Sequence, residues 1–279
     1  FFFKQKTAYE IVDCDWSSDV CSSDLLARVR QHLHARRHRE TLHHRAEALE
    51  RSLRRRERAG QALQQAVWQV LAHQAGLRDP ITHAHLQRSQ TLMAVLARAL
   101  SQDPDWPEPL DEEHQELLVR AAPLHDLGKL AIPEALLRKP GPLDRGEWAL
   151  MRSHPVLGEQ AVERVARDLL LPPDFVTLAR QVTRSHHERW DGSGYPDGLA
   201  GDAIPAAARV MAVADVFDSL LASRHYKRAG SPAEARAAIL AGAGRQFDPR
   251  VVVAFDRAFD ELLASWQAPG GAEDPDDRG

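Results

Sequence analysis

Histidine and aspartate occur together where helices are predicted to end, and both residue types bind metal ions. His125-Asp126 follows an apolar helix, and Lys129 lies about one turn beyond on the same side. Adjacent helical side chains point about 100° apart, so this pair could serve two neighbouring metals with the carboxylate between them. His186-His187 lies at another helix end, just before a glycine-rich loop. Neutral imidazole is the commonest metal ligand, so this second pair could form half of a site.

Asp215 lies within a segment, Arg209–Leu221, that is apolar on nearly all sides. A lone carboxylate buried in such a helix costs several kcal/mol or becomes protonated, so it needs a cation. That cation could be a metal ion or a basic side chain such as Arg209. The segment therefore indicates a paired carboxylate and leaves its partner open.

Each of these features also has a simpler explanation. A capping Asp126 beside a surface His125 is the commoner reason for a His-Asp dipeptide. The second pair could be two exposed polar residues. His85 and His154, taken alone, read as ordinary histidines near helix ends. The metal-site hypothesis therefore depends on the whole set.

Helices are the elements that must position these side chains. Apolar residues recur at helical spacing in stretches separated by segments rich in Pro and Gly. The predicted helices cover Ile81–Leu100, Glu112–Leu124, Arg145–Met151, Gly158–Asp168, Phe175–Ser185, Ala207–Ala222, Pro232–Ala241 and Pro249–Ser265. No alternating β pattern of convincing length is present. The sequence predicts an all-α fold.

Residues 26–77 predict one long helix, because they contain no proline and are dense in Arg and Glu. Apolar or small residues recur there at spacings of four and three, as in a heptad seam interrupted at Arg56. The seam residues are Leu42, Ala46, Leu49, Leu53, Gly60, Leu63, Val67 and Val70. The pattern favours a coiled-coil homodimer, and the alternative is a single solvated helix. Nucleic-acid binding is not expected, because this Arg-rich part lacks interleaved aromatic residues.

The composition excludes several classes of protein. The 279 residues, 43% of them hydrophobic, suffice for one main domain with extensions. A net charge of -4 gives no general attraction to nucleic acid or to an anionic membrane. Since no apolar run approaches the roughly 20 residues of a membrane helix and no signal-peptide order is present, we expect no membrane association and a cytoplasmic location.

The two ends of the chain differ from the rest. Residues 1–25 contain both cysteines, Cys14 and Cys21, and show no regular periodicity. They closely resemble the translation of a sequencing adapter, so we treat them as artefactual or disordered. Because the remainder has no cysteine, the main domain has no disulfide framework. The tail, 268–279, has few apolar residues and is expected to be disordered.

Taken together, the motifs resemble those of the HD-GYP family of bacterial phosphodiesterases. His125-Asp126 with Lys129 matches the HDxGK signature, and residues 186–196 match HHExxDGxGYP without a departure. The resemblance covers about 78–249. It implies an HD-domain helical bundle preceded by the long helix.

The resemblance also implies a ligand set and two metal ions. The implied ligands are His85, His125, Asp126, His154, His186, His187 and Asp215, with Asp126 bridging the two ions. Nitrogen and carboxylate ligands without thiolate suit iron or manganese, which we expect. Some family members hold a third metal through a carboxylate four residues before the first ligand histidine. That position is Ile81 here, so two ions are expected.

Phosphodiester hydrolysis is the chemistry that such a site implies. Two cations make water nucleophilic and neutralise the phosphate, so no protein nucleophile is needed. Asp126 and Lys129 are the implied catalytic residues, with Lys129 beside a phosphate. Arg224 and Lys227 match the family's phosphate-contacting positions, although a solvated basic helix end explains them almost as well. Tyr195 could offer an aromatic edge to guanine. The simpler interpretation is that it belongs to an ordinary turn.

Several positions depart from the family pattern. The family usually has Gly at His83 and Pro at His225, and commonly Thr-Ser-Asp where this chain has 221–223. None of these changes removes a proposed ligand. They bear on the loop around Arg224 and on affinity for the dinucleotide. The GYP loop, residues 192–198, is expected to form a flexible lid.

The leading hypothesis is a phosphodiesterase that converts cyclic di-GMP to pGpG, GMP or both. Residues 26–33 resemble the exit of a receiver domain, so 26–77 would be a signalling helix after a missing receiver in a response regulator, and 78–267 the catalytic domain. The GYP loop could also bind signalling proteins. One alternative is a non-catalytic cyclic-dinucleotide receptor or protein-interaction module, which a complete ligand set disfavours. Another is an HD phosphohydrolase for a different nucleotide, which the intact GYP loop disfavours.

Overall fold

All the regular secondary structure of the described residues is helical. The computed structural model describes residues 19–78, 83–107, 110–169, 171–222 and 230–268. Within these ranges the β pairings are the isolated bridges Asp191–Ala200 and Ala243–Phe247. The predicted all-α fold is confirmed. None of the described helices combines the length and the apolar character that crossing a bilayer requires.

Eleven labelled α-helices and several 3-10 helices occupy these ranges. The α-helices are α1 (Asp19–Arg78), α2 (His83–Ser101), α3 (Glu112–Ala121), α4 (Glu134–Leu137), α5 (Arg145–Met151), α6 (His154–Leu169), α7 (Pro173–Ser185), α8 (Ala206–Leu221), α9 (Pro232–Ala241), α10 (Pro249–Arg257) and α11 (Phe259–Gln267). The 3-10 helices are Ala122–Leu124, Leu127–Ala131 and Gly201–Ala203.

Helix α1 is longer than predicted, because it begins at Asp19 and not at residue 26. The chain divides by its internal contacts into two units, with the boundary between residues 64 and 65. In the first unit, the seam residues Leu42, Leu49 and Leu53 are 49–63% exposed. These apolar side chains face solvent in the single chain, and the coiled-coil dimer stays a prediction.

Side-chain caps explain why several predicted helices begin where they do. Asp144 accepts a hydrogen bond from the backbone N–H of Glu147, whose side chain returns to the backbone N–H of Asp144. Ser231 and Glu234 form the same reciprocal pair at the start of α9. Each such box satisfies two backbone donors at a helix N-terminus. Helices α5 and α9 therefore have the predicted bounds.

The predicted helix over 249–265 is in fact two helices. Helix α10 ends at Arg257, and α11 begins at Phe259. Ala258 between them has φ -96° and ψ 10°, which lies in the bridge region rather than in the α region. The turn lets Phe255 and Phe259 pack edge to face with 5.8 Å between ring centroids. The apolar pattern runs through this break, so the pattern alone could not locate it.

Helix α8 is the central helix of the second unit. It packs against α2, α7, α9 and α10. Most of its residues are buried, among them Met211, Val213 and Phe217. Burial of this kind is the main favourable term in folding. Any polar side chain on α8 that points toward α2 or α7 must therefore find a partner within the protein.

Two tight 3-10 turns replace the end of the helix predicted over 112–124. Pro123 lies in the first turn, and Gly128 lies in the second. The second turn packs against α6 so closely that a Cβ on Gly128 would collide with the carbonyl oxygen of His154. Between the two turns, His125 and Asp126 are held toward the start of α6.

Candidate metal centre

Seven side chains from five parts of the fold converge in the second unit. They come from the first turn of α2, the junction of the two 3-10 turns, the first residue of α6, the C-terminal end of α7 and the middle of α8. In that order they are His85, His125 and Asp126, His154, His186 and His187, and Asp215. These are the seven ligands that the sequence resemblance implies.

The seven side chains form two groups that could each hold a metal ion. One group contains Asp126, His154, His186 and His187, and the other contains His85, His125 and Asp215. Within each group, one ligand atom from every residue lies within 4.8 Å of the others.

Asp126 lies between the two groups, with one carboxylate oxygen toward each. Its Oδ1 lies 3.3 Å from Nε2 of His154 and 3.9 Å from Nε2 of His186. Its Oδ2 lies 3.3 Å from Nε2 of His125 and 2.8 Å from Nζ of Lys129. A carboxylate in this position can bridge two cations.

Asp215 faces the second group from α8. Its Oδ1 lies 4.0 Å from Nε2 of His85 and 3.9 Å from Nε2 of His125. Arg209, the alternative partner considered for Asp215, forms ion pairs with Asp202 and Asp248. The carboxylate of Asp215 therefore points at imidazole nitrogens.

The imidazoles turn their Nε2 atoms inward because their Nδ1 atoms are held from behind. A carbonyl oxygen can only accept a hydrogen bond, so an Nδ1 that contacts one must carry the proton. The Nδ1–H groups donate from His125 to Ala122 O at 2.8 Å, from His154 to Met151 O at 2.8 Å, and from His186 to Val182 O at 3.0 Å. Nδ1 of His85 lies 2.6 Å from a carboxylate oxygen of Asp218. In its neutral form, each of these rings leaves an Nε2 lone pair for a cation.

These contacts fit a pair of divalent cations. Nε2 of His85 lies 3.3 Å from Nε2 of His125, and Nε2 of His154 lies 3.4 Å from Nε2 of His186. Two lone pairs that face each other at such distances repel unless a proton or a cation lies near them. Imidazole and carboxylate ligands without thiolate suit first-row divalent metals. The imidazole and carboxylate donors of the two groups are therefore ligands that a first-row divalent metal ion prefers.

The electrostatics of the two groups differ. Burial lowers the pKa of His186 well below its usual value. Burial, with a smaller contribution from His154, lowers the pKa of His187 to about 4. Burial also lowers the pKa of His125, but the carboxylates of Asp126 and Asp215 outweigh it and raise that pKa to about 9. His186 and His187 are therefore neutral at pH 7, whereas His125 must release a proton before it can bind a cation.

The ammonium group of Lys129 reinforces the charge on Asp126. Burial raises the pKa of Asp126, but Lys129 and His125 more than offset this effect, and the pKa lies well below its usual value. Asp126 is therefore ionised at any physiological pH. Lys129 itself is partly exposed, with 17% of its side chain accessible. Its ammonium can both pair with Asp126 and meet a phosphate that approaches from solvent.

A buried carboxylate anchors the GYP loop. Glu188 is 3% exposed and accepts hydrogen bonds from the backbone N–H groups of Asp197, Gly198 and Leu199 at 2.7, 3.1 and 3.1 Å. The sequence led us to expect a flexible lid here. The structure instead ties the C-terminal half of the loop to the end of α7, next to His187.

Tyr195 lies beside the first group. Its ring stacks on that of His187 with 4.7 Å between centroids and 26° between planes. The guanidinium of Arg152 lies 4.9 Å from the same tyrosine ring, which is a cation–π contact. The Tyr195–Pro196 peptide bond is cis. The structure thus places Tyr195 beside a candidate metal ligand, and its contact with substrate stays a prediction.

Two predicted substrate contacts lie outside the described residues. Arg224 and Lys227 fall in 223–229, and so does His225, one of the departures from the family pattern. Leu221, another departure, is buried at the end of α8. The positions of Arg224 and Lys227 stay predictions.

The sequence argument about burial on α8 needs a correction. It treated Asp215 as the buried carboxylate, but 20% of that side chain is exposed. The fully buried carboxylate is Asp218, three residues later, which is 1% exposed. Residues three apart lie on the same side of a helix, so the sequence marks both carboxylates as candidates and does not say which one is buried. Glu188 and Arg152 were also given no role, and only the fold reveals their contacts.

Comparisons with known proteins agree with the motifs. A model of the HD domain family matches residues 22–251. The chain is 40% identical over 252 residues to a probable cyclic di-GMP phosphodiesterase of Vibrio cholerae. This alignment covers 90% of this chain and 57% of that protein. It is 38% identical over 239 residues to the cyclic di-GMP phosphodiesterase response regulator RpfG of Xanthomonas campestris pv. campestris, covering 86% of this chain and 60% of that protein.

The name of a third relative gives a different substrate. The 3'3'-cGAMP-specific phosphodiesterase 2 of Vibrio cholerae is 39% identical over 194 residues, covering 70% of this chain and 34% of that protein. The chain spans about half the length of the curated relatives that it matches. The family match covers most of the chain, and both family motifs contribute side chains to the ligand groups. This chain belongs to the HD domain family, in its HD-GYP branch.

Proposed function

We propose that this chain is the catalytic part of a metal-dependent phosphodiesterase that hydrolyses cyclic di-GMP to pGpG, GMP or both. The observation that carries the proposal is the position of Asp126, which directs one oxygen toward each of two histidine groups. A bridging carboxylate between two groups of imidazoles is the arrangement that two-metal phosphodiester hydrolysis uses. Relatives that are 38–40% identical carry cyclic di-GMP phosphodiesterase in their names.

We propose iron or manganese as the ions, one in each ligand group. When bound, the ions activate water as the nucleophile and neutralise the phosphodiester. The residues of the chain do the rest. Asp126 and the imidazoles fix the ions, and the Nδ1 contacts behind the rings keep each Nε2 directed inward. Lys129 holds a positive charge where a phosphate oxygen enters.

Tyr195 and its neighbours supply a binding surface for the nucleotide. An aromatic ring that already stacks on His187 is held in a fixed orientation, so it can pack against a guanine with little loss of side-chain freedom. Arg152 adds a positive charge on that ring. We propose that Arg224 and Lys227 contact the second phosphate of the substrate.

We propose that the activity is the output of a response regulator and that α1 joins two copies. The response regulator RpfG is a relative over 86% of this chain. The exposed heptad residues of α1 give two parallel chains an apolar seam. The GYP loop is an additional surface for signalling proteins.

Product chromatography tests the proposed reaction. Purified protein is loaded anaerobically with Fe²⁺, Mn²⁺ or Ni²⁺ and incubated with cyclic di-GMP and, in parallel, with 3'3'-cGAMP. We expect linear pGpG, GMP or both from cyclic di-GMP. Faster turnover of 3'3'-cGAMP than of cyclic di-GMP would identify 3'3'-cGAMP as the preferred substrate. No product from either compound with iron, manganese or nickel would overturn the proposal, and tight binding without turnover would favour a receptor.

A further inference from the structure

Asp218 lies directly behind His85 and is almost fully buried. It follows Asp215 by three residues on α8, and its Oδ2 lies 2.6 Å from Nδ1 of His85. Asp215 approaches the opposite nitrogen of the same ring, with its Oδ1 4.0 Å from Nε2. One helix therefore contacts both nitrogens of one imidazole.

His85 differs from the other imidazoles whose Nδ1 contacts are described above. His125, His154 and His186 donate to backbone carbonyl oxygens, which carry no net charge. His85 donates to a carboxylate. A hydrogen bond to an ionised acceptor is roughly twice as strong as a neutral one, so it holds the orientation of the ring more firmly than a carbonyl oxygen would.

The remaining contacts of Asp218 indicate that it positions His85 and is not itself a metal ligand. Its Oδ1 accepts hydrogen bonds from Nε of Arg88 and, at 2.8 Å, from Nε1 of Trp266. Its Oδ2 also accepts from Nη2 of Arg88 at 3.2 Å. Arg88, Trp266 and His85 together engage both oxygens, so the carboxylate cannot turn toward a cation without breaking several of these bonds.

Two neighbouring helices, α2 and α11, hold this carboxylate of α8. Arg88 lies one turn after His85 on α2, and Trp266 lies in the last turn of α11. The guanidinium of Arg88 lies 5.3 Å from the centre of the Trp266 ring, so the two donors also support each other. The buried charge of Asp218 is therefore balanced, and its position is set by α2 and α11 together.

We infer that Asp218 is a positioning residue that strengthens cation binding at the group formed by His85, His125 and Asp215. It keeps the proton of His85 on Nδ1, aims Nε2 into the group, and connects that group to Trp266. The inference rests on the metal centre of the proposed function and adds a residue that makes one ion bind more tightly than the ligands alone would allow.

Metal binding by the whole protein tests the inference without reference to activity. Chelator-stripped protein is titrated with Mn²⁺ by calorimetry, and the unfolding midpoint of the metal-free protein is measured alongside. We expect Asp218→Asn to weaken one of two binding steps by about ten- to hundredfold and to leave the other unchanged. Trp266→Phe keeps an aromatic ring and removes one donor, so it should weaken the same step by less.

Asp248→Asn is a matched control. Asp248 is also 1% exposed, and its carboxylate accepts from Arg209 at 2.7 Å and from Arg250. Its described partners include none of the seven candidate ligands. We expect this variant to lower the unfolding midpoint and to bind both ions as the parent does.

Coupling to His85 separates positioning from general damage. In a His85→Ala background, Asp218→Asn should cause no further loss of metal affinity, because its effect passes through that ring. An additive loss, or parent-like binding in the single Asp218→Asn variant, would overturn the inference and leave the proposed function intact. Parent protein that binds no divalent cation would overturn both. If Asp218→Asn does not fold, the Trp266→Phe titration decides alone.

Discussion

The backbone of Gly128 lies against that of His154, with no room for a side chain between them. A Cβ at position 128 would collide with the carbonyl oxygen of His154 and approach the backbone nitrogen of Gly158 to 2.5 Å. This contact fixes the distance between the HD segment and the first residue of α6. It therefore sets how far Asp126 lies from His154.

Gly128→Ala should destabilise the protein by about 1–3 kcal/mol, the usual cost of overpacking. It should also lower metal affinity, because the 3-10 turn that follows Asp126 must move away from α6. Chemical denaturation and metal titration measure the two effects. Gly60→Ala is the control, since a Cβ there meets nothing within 4 Å in the middle of α1. Equal stability of the two variants would contradict the prediction.

Asp126→Ala should remove both bound metal and turnover, because its two oxygens face the two ligand groups. Elemental analysis of protein purified anaerobically measures the metal. Asp111→Asn is a control on an exposed carboxylate that caps α3. Full metal content together with retained activity in Asp126→Ala would refute the bridging role.

Metal binding should release a proton from His125 between pH 6.5 and 9. The pKa of His125 is raised from 6.5 to about 9 before a cation binds, so binding should weaken about tenfold for each pH unit below 9. The same shift stabilises the metal-free fold fully below pH 6.5, and this contribution is lost as the pH rises through 9. Affinity and metal-free stability should therefore change in opposite directions with pH.

Calorimetry in two buffers of different ionisation enthalpy counts the released protons, and thermal unfolding follows the stability. A metal affinity that does not change between pH 7 and 9 would contradict the raised pKa of His125.

Glu188→Ala should loosen the GYP loop and raise KM more than it lowers kcat. The substitution leaves three backbone N–H groups, those of Asp197, Gly198 and Leu199, without their carboxylate. Hydrogen exchange at 195–200 should accelerate. Glu134→Ala, an exposed glutamate in α4, is the control. Unchanged exchange in the loop would show that other contacts hold it.

Leu49→Glu combined with Leu53→Glu should convert a dimer into a monomer, because charges at seam positions oppose coiled-coil pairing. Sedimentation velocity measures the change in mass. Arg51→Glu, between these two positions on α1 and off the seam, should leave the dimer intact. A monomeric parent protein would contradict the predicted homodimer.

Much of the fold could be predicted from the sequence, because particular residues determine where helices begin. Asp144 and Ser231 cap their helices locally, so the starts of α5 and α9 follow from a few neighbouring residues. The break at Ala258 has no such signal, because apolar spacing continues across it. Local chemistry predicts helix ends only where a side chain or a proline determines them.

The candidate ligands could be named from motifs, but their supports could not. Helix α8 is apolar on nearly all sides, so the sequence does not say which of its two carboxylates is buried. That depends on how α8 packs against α2, and the structure buries Asp218 rather than Asp215. In the same way, the role of Glu188 depends on backbone groups nine to eleven residues away.

Three consecutive residues, His186, His187 and Glu188, connect the metal-ligand groups to the GYP loop without a spacer. A shift of the α7 terminus would displace two candidate ligands and the loop anchor by the same amount. Only a change such as the insertion of one residue between His187 and Glu188 would uncouple the two, because it would rotate the anchor away from the loop and leave the imidazoles before it. In the chain as it stands, the position of the loop and the geometry of the ligand groups are thus coupled, and an engineered change to one would also change the other.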